Sequence, residues 1–167
     1  MKCSICDKDH PVESIELFYR RPDAVVALPD DYRESHCHES DDLAHINWER
    51  WFIRCILAIP VIGRQKSTAI GLWVEVAQQS FDAVRELWES PDQHLHPPIA
   101  ATLANAVYTH PKSLGQAVMV QLTGPTTRPE VYLQDRSSSL GSEQANGIPE
   151  ERAIQYAMRA VHGAPDA

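Results

Sequence analysis

A single α+β domain, with an antiparallel sheet of about four strands packed by helices, is the fold class this sequence predicts. Three observations predict it. Two long runs alternate apolar and polar residues, two shorter runs do the same, and two segments carry apolar stripes at helical spacing. The 167 residues, 43% of them hydrophobic and 23% charged, have the make-up of a globular chain able to bury a core unaided. Residues 1–167 read as one domain: a metal-knuckle segment at 1–12, a polar, acidic and His-rich segment at 13–47, and the sheet-and-helix core at 48–163.

The elements follow in chain order. Leu28-Pro29-Asp30-Asp31 opens a short helix, because Pro suits a first turn and acids favour its positive end. Trp51 to Ile62 reads as a long strand, with Ile53, Cys55, Leu57 and Ile59 on one face and Phe52, Arg54 and Ile56 on the other. After a polar loop, Ile70, Leu72, Val74 and Val76 place a second strand antiparallel to the first. Ser80 is an N-cap for a helix whose stripe is Phe81, Val84, Leu87 and Trp88, stopped at Pro91. Ile99 to Tyr108 reads as another short helix. Val118, Val120 and Leu122 mark a third strand, Thr123 to Pro129 a turn, and Val131 and Leu133 a fourth strand. Gln134 to Asn146 reads as a Ser-rich surface loop. The last helix begins at Pro149, carries Glu150 and Glu151 at its positive end, turns Ile154, Ala157, Met158 and Val161 inward, and stops at Gly163.

Charge and hydropathy exclude some partners. A net charge of −8 argues against nucleic acid, whose phosphates call for clustered Lys and Arg. No apolar window is long enough for a membrane span, and the N-terminus has no signal-like apolar stretch, so a cytoplasmic location is expected. In that compartment four cysteines read as thiols or metal ligands.

The ligand chemistry is densest at the start. Cys3 and Cys6 sit two residues apart with His10 four further on, a spacing that aims soft donors at one structural zinc. A closed site needs a fourth donor. Cys37 is the first choice, completing a three-thiolate, one-imidazole set, with His36, His38 and His45 as alternatives. His94 and His96 form a second His-x-His pair, read as solvated loop side chains. Arg54 and Arg128, each in or beside a strand, are candidates to bind a carboxylate or phosphate; the alternative is pairing with Glu75 or Glu130. Cys55 is expected to be an inert core thiol, and Trp48, Trp51, Trp73 and Trp88 to be core and semi-core packing. No nucleophile elbow, phosphate loop, zinc-protease motif or dinucleotide fingerprint is present.

In order and spacing these landmarks resemble a bacterial family, domain of unknown function 2199. Cys3, Cys6 and His10 match its opening. Phe52, Arg54, Pro60 and Val61 match its central strand, and Gly71, Trp73, Val74, Ser80 and Phe81 the next segment. Arg128, Pro129 and Leu133, then Gln144, Gly147 and Ile148, match its later steps. The chain departs from the family pattern at Asp7, usually Gly. It also departs at Asp42-Leu43-Ala44, usually Asp-Leu-Cys, and at Ser138-Ser139-Leu140, usually His-Pro-Leu. The resemblance implies no activity, because the family is uncharacterised. The leading expectation is therefore a non-enzymatic, zinc-stabilised binding domain with a protein partner, met through the sheet face or the acidic region 30–45. An immunity-type protein that neutralises a basic toxin is its specialised form. The alternatives are a metal-dependent hydrolase using the N-terminal or His94/His96 site, and a small-ligand domain shaped by the Arg pair and the tryptophans.

Overall fold

The computed structural model describes residues 14–163. Its centre is a closed barrel rather than the open four-stranded antiparallel sheet that the alternating runs suggest. Strands β4 (Arg50–Ile59) and β5 (Thr68–Val76) form a long antiparallel pair, in register from Trp51 opposite Val76 to Ile59 opposite Thr68. The chain then meanders through β6 (Ile99–Leu103), β7 (Ala117–Gln121) and β8 (Glu130–Leu133), each antiparallel to the one before. Five strands that alternate in direction leave the last parallel to the first. Closure is accordingly parallel: Ile56 of β4 lies opposite Glu130, and its N–H donates to the Pro129 carbonyl at 2.8 Å.

Alternation decides what fills the barrel. Ile53, Cys55, Leu57 and Ile59 point inward with Ile70, Leu72, Val74, Val118, Val120 and Val131, all buried in one continuous cluster. Helix α3 (Gln78–Leu87) closes the end near the start of β4, where the Phe81 ring meets Trp51 with centroids 5.0 Å apart. The far end is closed by Leu140 of α4 (Ser139–Asn146), by Ile148, which bridges Val61 just past β4, and by Ala153 and Tyr156 of α5 (Glu150–His162).

Three further strands flank the barrel. β1 (Leu17–Phe18) runs parallel to the first half of β5 and is replaced by β6 along the second half. At that change of partner the Trp73 N–H would be stranded, and buried Asn105 accepts it at 2.8 Å. Along β4, β3 (Leu43–Ile46) pairs with the first half and β2 (Cys37–Glu39) adds an outer edge. Short helices α1 (Asp23–Val26) and α2 (Asp30–His36) precede them. α1 covers a second, smaller core on the outer barrel face, made by Val25, Ala44, Ile46, Phe52, Trp73 and Ala104.

Several expectations are corrected. Ile99–Leu103 is a strand, not a helix: Ala-rich composition favours helix weakly, and the barrel's demand for a strand between β5 and β7 overrides it. Residues 139–146 form α4 within the supposed loop, because the Ser138 hydroxyl accepts the Gly141 N–H and caps it. α3 starts at Gln78 behind Ala77, ahead of Ser80. Cys3, Cys6 and His10, the predicted zinc knuckle, lie outside the described residues. Among the described residues no helix is long and apolar enough to cross a membrane.

Candidate functional site

Arg54 and Arg128, far apart in sequence, are brought together on the outer face of the barrel. Arg54 projects outward from β4 because it alternates with the inward Ile53 and Cys55. Arg128 ends the loop that delivers β8 alongside β4, so the parallel closure sets it beside Arg54. Its Nε donates to the Asp42 carboxylate at 2.7 Å. Arg54 Nη1 donates to the Asp41 carbonyl at 3.3 Å, a weak contact, and its guanidinium lies 5.4 Å from the centroid of the Phe18 ring, which is 59% exposed. Arg54 Nε is buried with no hydrogen-bond partner among the described residues. The anticipated carboxylates are engaged elsewhere: Glu75 accepts two hydrogen bonds from Arg50, and Glu130 accepts one from Tyr132.

Electrostatics sharpen the picture. Burial first, and then the neighbouring Arg128 guanidinium, push the Arg54 pKa down; Asp42 and Asp41 offset this only in part. Gly71 makes the site compact. A Cβ there would meet the Phe18 Cβ at 3.0 Å, so β1 lies this close only against glycine, and Phe18 reaches the Arg54 guanidinium from it. An arginine with a buried unused donor beside a second guanidinium is an arrangement that an anion completes. Chemically, a carboxylate or phosphate oxygen that reached the Nε–H would accept from it and offset the repulsion.

The remaining predicted residues do not gather into one site. Cys37 is half-buried against the second core, and desolvation raises its thiol pKa. His36 stacks on Tyr32 with centroids 4.0 Å apart, and His38 stacks on His45. The Trp48 backbone N–H donates to His45 Nδ1 at 3.4 Å, which leaves the proton of a neutral ring on Nε2. Among the described residues no three His, Cys, Asp or Glu side chains converge to hold a metal. His94 and His96 each rest Nδ1 on a loop carbonyl, from Pro91 and Pro97. Cys55 lies in the barrel core, where burial pushes its thiol pKa up strongly. Trp51 and Trp73 are buried and Trp88 is half-buried, as expected for packing, but Trp48 is 67% exposed.

A polar network at the base of α5 lies outside every candidate drawn from the sequence. His110, buried, has Nδ1 2.6 Å from Ser139 Oγ and Nε2 3.0 Å from the Tyr156 hydroxyl and 3.3 Å from Glu143. Arg152 Nε donates to Glu143 at 2.7 Å, its Nη2 donates to Tyr156 at 3.1 Å, and the Tyr156 hydroxyl donates to Glu143. The available signal was the placement of Arg152 and Tyr156 four apart, on the α5 face that also carries the buried Ala153. Arg152 Nη2 lies 3.1 Å from His110 Nε2 and also donates to Thr109, so the network bolts α4 and α5 to the loop at Thr109.

The sequence model of one family, described as an uncharacterized protein conserved in bacteria (DUF2199), matches residues 2–148. No curated protein and no solved structure matches the chain.

Proposed function

We propose, from the premise that this chain belongs to the DUF2199 family of bacterial proteins, that it is a binding domain which takes up an anionic group between Arg54 and Arg128. The observation that carries the reading is the Arg54 Nε, buried without a partner beside a second guanidinium. Leaving a charged donor unsatisfied is unfavourable to folding by roughly 1–3 kcal/mol, and a carboxylate or phosphate offsets that loss directly. Phe18 supplies a flat apolar wall for the rest of the ligand. The positions support the reading a second time: Arg54, Gly71 and Arg128, drawn from three separate stretches that carry the family resemblance, meet at this one place.

The structural zinc remains part of the proposal on the donor chemistry of Cys3, Cys6 and His10, with Cys37 as fourth ligand. Elemental analysis checks it independently: one zinc per chain in the wild type and none in Cys6→Ser.

The anion site is tested by thermal melting in inorganic phosphate, with sodium chloride at matched ionic strength as the control. Phosphate at ten times its Kd stabilises by ~1.4 kcal/mol, a rise of ~3–6 °C in Tm for a domain of this size. Arg54→Met keeps the stem over Phe18 but removes the charge. It is expected to melt no lower than the wild type and to lose the phosphate response, and Arg128→Gln to lose it as well. An equal response in all three proteins refutes the site.

A further inference from the structure

The segment from α2 through the turn after β3, residues 30–49, concentrates charge. It holds seven acids against Arg33 alone, a net −6 of the chain's −8. Three of those acids are neutralised: Asp30 by Arg33, Glu39 by Arg21 and Asp42 by Arg128. Asp31, Glu34, Asp41 and Glu49 are exposed, with no ion-pair partner among the described residues.

At the tip of this arm the backbone turns through two left-handed residues, Asn47 at φ 50° and Trp48 at φ 56°. Asparagine suits that region; a bulky aromatic residue rarely adopts it. The turn is nonetheless fastened, since the Asn47 N–H donates to the His36 carbonyl at the end of α2 at 2.7 Å. It holds the exposed Trp48 ring 4.0 Å from the His45 ring and 5.8 Å from Trp51. His45 is only 5% exposed, and its Nε2 has no partner among the described residues. A strained, exposed indole over a buried donor without an acceptor is not what folding alone selects.

We infer that this arm is an interaction surface for a basic polypeptide, with a Lys or Arg side chain of the partner seated on the Trp48 ring and the flanking carboxylates steering it in. Charge complementarity selects this occupant, since phosphate-rich partners such as nucleic acids or anionic membranes are repelled by the same acids. The His45 ring beneath Trp48 adds no opposing charge, because burial, and then His38, lower its pKa. The surface adjoins the Arg54–Arg128 site, which takes the Asp41 carbonyl and the Asp42 carboxylate from the same segment, but it does not rest on that site's holding an anion.

The test is calorimetric titration of a short arginine-rich peptide into the wild type and Trp48→Gly at low ionic strength. Glycine accepts the left-handed turn, so the variant is expected to melt no lower than the wild type while binding the peptide about fivefold more weakly. Glu49→Gln, which leaves the indole in place, is expected to weaken binding to a smaller degree, and the phosphate response to persist in both variants. Equal affinity for wild type and Trp48→Gly reduces the attraction to bare charge and overturns the inference. So does the absence of binding. Self-association of the wild type that is lost in Trp48→Gly assigns the surface to a second copy, and likewise overturns it.

Discussion

Glu143 offers a perturbation whose magnitude follows from the structure. Burial alone pushes its carboxyl pKa up, but hydrogen bonds from His110 and Tyr156 and the paired Arg152 guanidinium outweigh it and hold the group at about 2, against an ordinary 4.5. A carboxylate depressed in the folded state contributes stability that is fully present above pH 4.5 and lost as the pH falls through about 2. The gap amounts to ~3 kcal/mol at neutral pH, shrinks to roughly half of that at pH 3 and all but vanishes at pH 2. Glu143→Gln removes the charge and keeps the shape. Urea denaturation of both proteins between pH 2 and pH 7 is therefore expected to show the variant ~3 kcal/mol less stable at the upper end, with the two curves converging at the lower. Subtracting one profile from the other cancels every other acid in the chain. Parallel profiles, with a difference that does not shrink on acidification, refute the reasoning.

Two further perturbations probe the architecture. Leu57→Ala, inside the barrel, is expected to lose ~2–5 kcal/mol in chemical denaturation, and Ile56→Ala, half-buried on the opposite face of the same strand, about 1 kcal/mol. Equal losses contradict the inward–outward alternation that closes the barrel. Gly141→Ala places a Cβ 2.0 Å from the Asp135 carbonyl oxygen, so the Asp135–Ser138 turn has to move. A loss of ~2–3 kcal/mol is expected, and an unchanged urea midpoint refutes the tight turn.

Much of the barrel was legible in the sequence, strand by strand, and its closure was not. Ile53, Cys55, Leu57 and Ile59, with Ile70, Leu72, Val74 and Val76, alternate so regularly that both long strands and their inward faces could be read directly. Closure depends on a pairing between residues far apart in the chain, Ile56 with Glu130, and no local pattern announces it. Ala100 and Ala101 give Ile99–Leu103 a helical look, while the hydrogen bonds that make it a strand come from β5 and β7. The short strands β1, β2 and β3 carry too few residues to show a period. At the candidate site the two arginines could be proposed from their positions next to strands. Their actual companions, Asp42 and the Asp41 carbonyl, come from a loop whose placement depends on β3 pairing with β4. Tryptophan usually packs, and nothing beside Trp48 in the sequence signals otherwise; only the left-handed turn reveals that it faces outward.

The central claim, that Arg54 and Arg128 hold an anion, is tested most directly by observing the arginine Nε–H resonances in ¹⁵N-labelled protein during a phosphate titration. The account predicts that the buried Arg54 Nε–H, which has no partner, shifts saturably, while Arg50 and Arg152, already bound to Glu75 and Glu143 and remote from the site, stay in place. An Arg54 resonance that moves no more than that of the exposed Arg85 contradicts it.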